Sequence, residues 1–223
     1  MKNKCWFFLP WAYFLKTRIS STFKLVSWAF IYIVPTLVIS LSLRDGLSLH
    51  NIVSYFLQFA IIYNFYEIGY IENDNETTKK ESNPTERLNA EEKRYYEQYK
   101  FYIYSWRILL GILLSILLGY LESFSSEFNQ FALAAVMILV VYYFYNRIRG
   151  GITLLLHFVL VSLRYLSYIL LIYHGITSGW VLLFLFLLYP VINFIERGSN
   201  PKFNWPMLQP LYYSEKQSAW FRM

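Results

Sequence analysis

An all-α, polytopic transmembrane bundle is the fold class this sequence predicts, and three observations carry it. Of the 223 residues, 57% are hydrophobic and 21% aromatic, and the apolar residues come in long runs, not in amphipathic stripes. A membrane span needs about 20 mostly apolar residues, and several runs reach that length. Tyrosine and tryptophan crowd the ends of the runs, at Trp28, Tyr63, Tyr70, Tyr102, Tyr142, Tyr145 and Trp180, where interfacial anchors belong. The basic residues gather in alternate connections, as the positive-inside rule requires.

Residues 1–24 carry Lys2, Lys4, Lys16, Arg18 and Lys24 around CWFFLPWAYFL, which is too short to cross a bilayer and is interrupted by Pro10. No small-residue cleavage pattern follows, which argues against a signal peptide. An amphipathic segment lying in the interface, with Trp6 and Trp11 at headgroup depth, is the expectation. The transmembrane domain then covers residues 25–195. Span one runs from Leu25 to Leu43, and RDGLSLHN turns the chain into span two, Ile52 to Ile71. A cytoplasmic connector over 72–100 follows. Its second part, NAEEKRYYEQYK, reads as a charged helix opened by Asn89 as N-cap with Glu92 three residues on. Spans three to six are Phe101–Leu121, Phe131–Tyr145, Ile152–Tyr173 and Trp180–Ile195, and a proline- and aromatic-rich tail, 196–223, lies along the surface.

Six spans place both termini on one side. With the N-terminus inside, the inner segments hold seventeen of the lysines and arginines outside the spans, and the outer turns hold only Arg44. The net charge of +6 is therefore a topology signal, and nucleic acid drops out as a partner. Cys5 is the only cysteine, so no internal disulfide can form. A bacterial inner membrane, N-in and C-in, is the expected location. There is also a short echo between YEIGYIEND (66–74) and YPVINFIER (189–197), each followed by Ser-Asn-Pro. It would set two polar span ends on the same membrane face, and it is brief enough to arise by chance.

Most of the chemistry sits between Tyr63 and Leu88. Glu67, Tyr70, Asp74, Thr77 and Glu81 recur at three- and four-residue steps and share one face if the helix continues past the membrane. A carboxylate array of that kind suits a divalent cation, which takes oxygen ligands. A solvated connector capping a span explains the same residues equally well. Ionisable groups inside spans are costly and mark sites. Glu67, Arg107 and His157 fall at similar depth, so Glu67 is expected to pair with Arg107 or His157. Arg164 lies deeper, on the same face as His157. Arg107 and Arg164 near a carboxylate cluster suggest an anion-facing cavity, because arginine binds phosphate oxygens in pairs.

These residues resemble a known family. A span ending in Asn73-Asp74, then Thr77 and Glu81, then Pro84 and Arg87, is similar to the first motif, NDxxDxxxD, of the UbiA superfamily of membrane prenyltransferases. The resemblance implies a site in which Asp74 and Glu81, supported by Asn73, hold magnesium on a prenyl or phosphoribosyl diphosphate. Lys79, Lys80 and Arg87 would contact the phosphates, and the basic, aromatic segment before span one matches the helix that opens that fold. The chain departs from the pattern at Thr77 and Glu81, where the motif has aspartates, and it has six spans where the family has about nine. Asp45 and Asp74 are its only aspartates, so a second aspartate-rich motif cannot form, and Glu196 is the one position that could substitute.

Three functional expectations follow. The first is a UbiA-like transferase using a Mg²⁺-bound prenyl or phosphoribosyl diphosphate. Glu67, Asn73, Asp74 and Glu81 would serve its catalytic centre, and Tyr70, Lys79, Lys80, Arg87, Arg107 and Arg164 would bind substrate. Rings such as Tyr63, Tyr66, Tyr70 and Tyr168 would face a developing allylic cation. The second is a non-catalytic membrane protein, a degenerate relative or an accessory subunit, that binds an isoprenoid or a membrane partner chain, or a second copy of itself. The third is a small anion transporter with Arg107, His157 and Arg164 on its path. No Ser-His-Asp grouping, GxxxxGK[ST] loop or Cys/His metal spacing points to another class.

Overall fold

The structure, a computed structural model, describes residues 4–44, 46–80, 84–148, 150–172, 176–203 and 205–211. Every regular element among them is helical. A 3₁₀ turn at Cys5–Phe7 and a short helix, α1 (Ala12–Arg18), lead into a continuous helix over Thr22–Leu43. Within it, α2 (Thr22–Trp28) and α3 (Val34–Leu43) are joined by a π turn at Ala29–Ile33. Then come α4 (Leu49–Glu72), α5 (Ala90–Leu121), α6 (Ser126–Arg147) and α7 (Ile152–Leu170). The last pair, α8 (Ile176–Phe186) and α9 (Ile192–Gly198), is joined by a π turn at Leu187–Val191 that holds Pro190. Proline lacks the N–H that an α-turn would use there, which accounts for the widened turn.

Five helices are long and apolar enough to cross a membrane: Thr22–Leu43, Ala90–Leu121, Ser126–Arg147, Ile152–Leu170 and Gly179–Gly198. The chain therefore has the character of an integral membrane protein, and the apolar side chains on the outer faces of these helices, such as Phe30, Leu113, Val136 and Phe184, have lipid to meet. The sixth predicted span, α4, is of the right length at 24 residues but is more polar than the other five. Its position explains why. Every residue from Gln58 to Glu67 is buried, so this stretch of α4 is wrapped by its neighbours. It packs against α3, α5, α6, α7 and α1. Glycines admit two of these close approaches: a Cβ at Gly69 would lie 2.2 Å from the Tyr142 ring, and one at Gly111 2.3 Å from the Phe65 ring. Gly111 thus serves packing, and α5 runs through it unbroken.

The helix starts follow from local capping. Asn89 accepts from the Glu92 amide while the Glu92 carboxylate accepts from the Asn89 amide, the reciprocal capping box expected from the sequence. The helix it opens does not stop at the membrane edge but continues unbroken into span three. Ser21, Ser48 and Ser125 cap α2, α4 and α6. At one end of the bundle Arg44 reaches Glu122 at 2.7 Å, tying α3 to the α5–α6 turn. At the other end the Asn146 amide donates to the Gly69 carbonyl at 3.1 Å and to Glu72 at 3.2 Å.

The leading segment departs from the interfacial strip the sequence suggests. Phe7 and Tyr13 are fully buried and Phe14 nearly so. Trp11, at φ 65°, makes a left-handed turn ahead of α1 and stacks on Phe59 with centroids 5.5 Å apart. That turn costs about 1–2 kcal/mol and redirects the chain so that Trp6, Phe7 and Leu9 reach Arg107, Phe14 reaches Glu67, and Tyr13 and Arg18 reach Asp74.

Candidate functional site

Two charged clusters hold the leading segment against α4, and the second opens into a cavity. In the first, the Glu67 carboxylate accepts from the Arg107 guanidinium at 2.5 Å and from the Phe14 amide at 2.6 Å. Arg107 also donates through Nε to the Phe7 carbonyl (2.8 Å), through Nη2 to those of Leu9 (3.0 Å) and Trp6 (3.5 Å), and through Nη1 to Asn64 (3.4 Å). Five guanidinium N–H donors meet five acceptors. Of the two pairings expected for Glu67, the structure takes Arg107. Both residues are enclosed by protein and neither lines the cavity.

The second cluster centres on Asp74, whose side chain is 0% exposed. Its Oδ2 accepts from Arg18 Nη1 (2.7 Å) and the Tyr13 hydroxyl (3.0 Å), and its Oδ1 from Arg18 Nη2 (3.0 Å) and Arg87 Nη1 (3.1 Å). Asn73 adds a longer contact of 3.4 Å. Burial and the adjoining Asp74 carboxylate push the Tyr13 phenol well above its ordinary value, so it stays a donor. The Tyr70 ring lies 4.5 Å beneath the Arg18 guanidinium.

Helix α4 delivers Asp74 through a π turn over Asn73–Thr77. The widened turn rotates the side chains that follow off the predicted common face. Glu67 and Asp74 both meet the leading segment, but the Thr77 hydroxyl donates instead to the Asn146 carbonyl at 3.3 Å. Glu81 lies outside the described residues. Lys79 and Lys80, assigned to phosphates by the resemblance, are exposed. Lys79 pairs with Glu76 at 3.0 Å and with Glu97. Burial works against the Glu76 charge, but the bonds it accepts from Lys79 and Tyr96 outweigh it and hold the carboxyl below its usual range.

Beside Asp74 lies a cavity of about 340 Å³ lined by Arg18, Arg87, Arg164 and Arg197, with His157, Asn73, Asn193 and the rings of Tyr66, Tyr70, Tyr142, Tyr145 and Tyr165. The four arginines come from α1, the connector, α7 and α9. Arg18 and Arg87 share one carboxylate, Asp74. Among the described residues Arg164 and Arg197 have no ion-pair partner. Arg164 donates to the Tyr63 hydroxyl and sits 4.2 Å from the Tyr32 ring centre, 5.0 Å from Tyr63 and 5.5 Å from Tyr66. Such contacts contribute about 0.5–2 kcal/mol each and offset part of the cost of holding the cation inside the bundle. Arg197 meets His157 Nε2 at 3.2 Å and the Tyr145 hydroxyl at 3.1 Å. Arg164 Nε, Arg197 Nε, His157 Nδ1 and Asn193 Oδ1 are buried with no hydrogen-bond partner among the described residues.

His157 and Arg164 thus share a face and a cavity, as their seven-residue spacing predicts. Arg18, Arg197, Asn193 and Tyr13 were missed as site residues. The echo at YPVINFIER carried the one available signal for Arg197 and Asn193, since both lie in it.

The residues at Asp74 do not fit the magnesium that the resemblance implies. A carboxylate has about four lone-pair sites, and Asp74 already fills four with donors. An ion there would also stand against two guanidiniums, each repelling it by about 8 kcal/mol at 4 Å in an effective dielectric of about 20. No protein-family model matches this chain, and no curated protein or solved structure does.

Proposed function

We propose that this chain is an integral membrane protein that takes up the phosphate end of a diphosphate, prenyl or phosphoribosyl, in the arginine-lined cavity, as a divergent relative of the UbiA-like transferases. One observation carries the reading. Four guanidiniums from four separate elements converge on one space, and among the described residues Asp74 is the one carboxylate ion-paired to any of them. Arginine's fork matches phosphate oxygens two at a time, and a low-dielectric wall strengthens each contact. In this reading α4 is the sixth span, polar because it is sheathed, and the cavity faces the side carrying both termini and most of the basic residues. If transfer occurs, the guanidiniums stabilise the departing diphosphate, and the tyrosine rings around Arg164 face the carbon it leaves.

The commitment of Asp74 to Arg18, Arg87 and Tyr13 favours a second reading, a non-catalytic relative that binds the same ligand or presents it to a partner chain. The test is thermal unfolding of detergent-purified protein with pyrophosphate, farnesyl diphosphate or phosphoribosyl diphosphate, with Mg²⁺ and without. A ligand bound only by the folded state at 100 times its Kd adds about 2.7 kcal/mol, which is a rise of several degrees. Binding followed by turnover of an isoprenoid or ribosyl donor selects the transferase, and binding without turnover selects the second reading. No rise with any diphosphate sinks both.

A further inference from the structure

We infer that this cavity binds the diphosphate through its guanidiniums alone, with no divalent cation. The inference rests on the reading above and goes past it, because the resemblance puts a metal where this chain has arginines. Three observations lead to it.

The first is the state of Asp74. All four of its usual acceptor positions are taken by Arg18, Arg87 and Tyr13, so it neutralises protein cations and has none left for a metal. The second is the charge around the cavity. Arg18 and Arg87 divide one negative charge between them, and Arg164 and Arg197 have no counter-charge among the described residues. A diphosphate would supply it. The third is the set of unmet donors. Nε of Arg164, Nε of Arg197 and Nδ1 of His157 are all buried without partners among the described residues, and all three residues line the same space. Unpaired polar atoms in a protein interior are costly, and their convergence on one cavity marks a place built for an outside acceptor. Arginine does the work of the metal ions here, and it keeps its charge at every accessible pH.

The ligand class is a diphosphate or phosphate dianion, free or on a lipid. The experiment titrates purified protein with inorganic pyrophosphate and, separately, farnesyl diphosphate, each in EDTA and each in Mg²⁺, reading the unfolding midpoint and the heat of binding. The wild-type protein is expected to bind in EDTA with a Kd within three-fold of that in Mg²⁺. Arg164→Gln and Arg197→Gln are each expected to weaken binding ten-fold or more, and Asp74→Asn is expected to keep or improve it in EDTA. Tighter binding of farnesyl diphosphate than of pyrophosphate assigns the site to a lipid ligand, and equal binding assigns it to a free one; both support the inference. Binding seen only with Mg²⁺ and lost in Asp74→Asn overturns it while leaving the proposed function standing. Absence of binding in both buffers overturns the two together. The wild-type comparison in EDTA decides the matter even if a variant fails to fold, and Arg197→Lys gives a milder change at the cavity.

Discussion

Arg107 and Arg164 are both arginines inside a helical bundle, and they are treated in opposite ways. Arg107 has Glu67, Asn64 and three carbonyls of the leading segment around it, so every donor is used. Arg164 has a tyrosine hydroxyl, a cage of rings and a buried Nε with no partner among the described residues. A guanidinium whose donors are all spent within the chain can only hold the chain together. One left short of acceptors beside a cavity has capacity for something that arrives from outside. The contrast separates the structural cation from the binding cation more sharply than depth in the membrane does.

The largest test of that contrast removes the carboxylate from the satisfied side. Glu67→Gln leaves Arg107 buried and uncompensated, which should cost about 3–5 kcal/mol, a fall in unfolding midpoint of roughly 6–20 °C. A change below 2 °C would mean that the pair is not closed in the way described. Crowding the same side without touching charge comes next. Gly111→Ala would press a Cβ into the Phe65 ring and to 3.0 Å from the Asn64 amide, costing about 1–3 kcal/mol while leaving pyrophosphate affinity as it was. Loss of affinity alongside stability would show that the two arginine sites are coupled. On the other side, Arg164→Met should shift stability by no more than about 1 kcal/mol, since the lost ring contacts are offset by relief of desolvation. Its effect belongs in the binding isotherm.

The smallest effect is in acid. Glu76 has its folded pKa depressed, so its contribution is present above the ordinary value of 4.5 and is lost as pH falls through the folded value. Because the side chain is half-buried and its ion pairs are screened by solvent, the loss should be only a few tenths of a kcal/mol. Glu76→Gln should flatten the acid limb of a stability–pH curve by that amount, lowering stability above pH 6 by the same few tenths of a kcal/mol without changing the slope there.

Much of the architecture was legible because apolar runs of span length announce themselves. The predicted spans start and end within a few residues of the helices for most elements, and Asn89 with Glu92 signalled the start of α5. Depth counting brought Glu67 to Arg107, and heptad spacing brought His157 and Arg164 to one cavity. What escaped has a physical reason. Arg18 joins Asp74 across 56 positions, and a bidentate contact at that separation leaves no period in the sequence. The π turn at Asn73–Thr77 has no proline to betray it, and it is what divides Asp74 from Thr77. Residues 5–18 looked amphipathic because they are; their apolar side finds protein, which periodicity cannot distinguish from lipid.

The docked leading segment sets an order of events during biosynthesis. Phe7 is bonded to a residue 100 positions later, so its place does not exist until α5 has been made and inserted. At about 5–20 residues per second that is a wait of roughly 5–20 s. A segment made before α4 and α5 is thus fixed only after both of them.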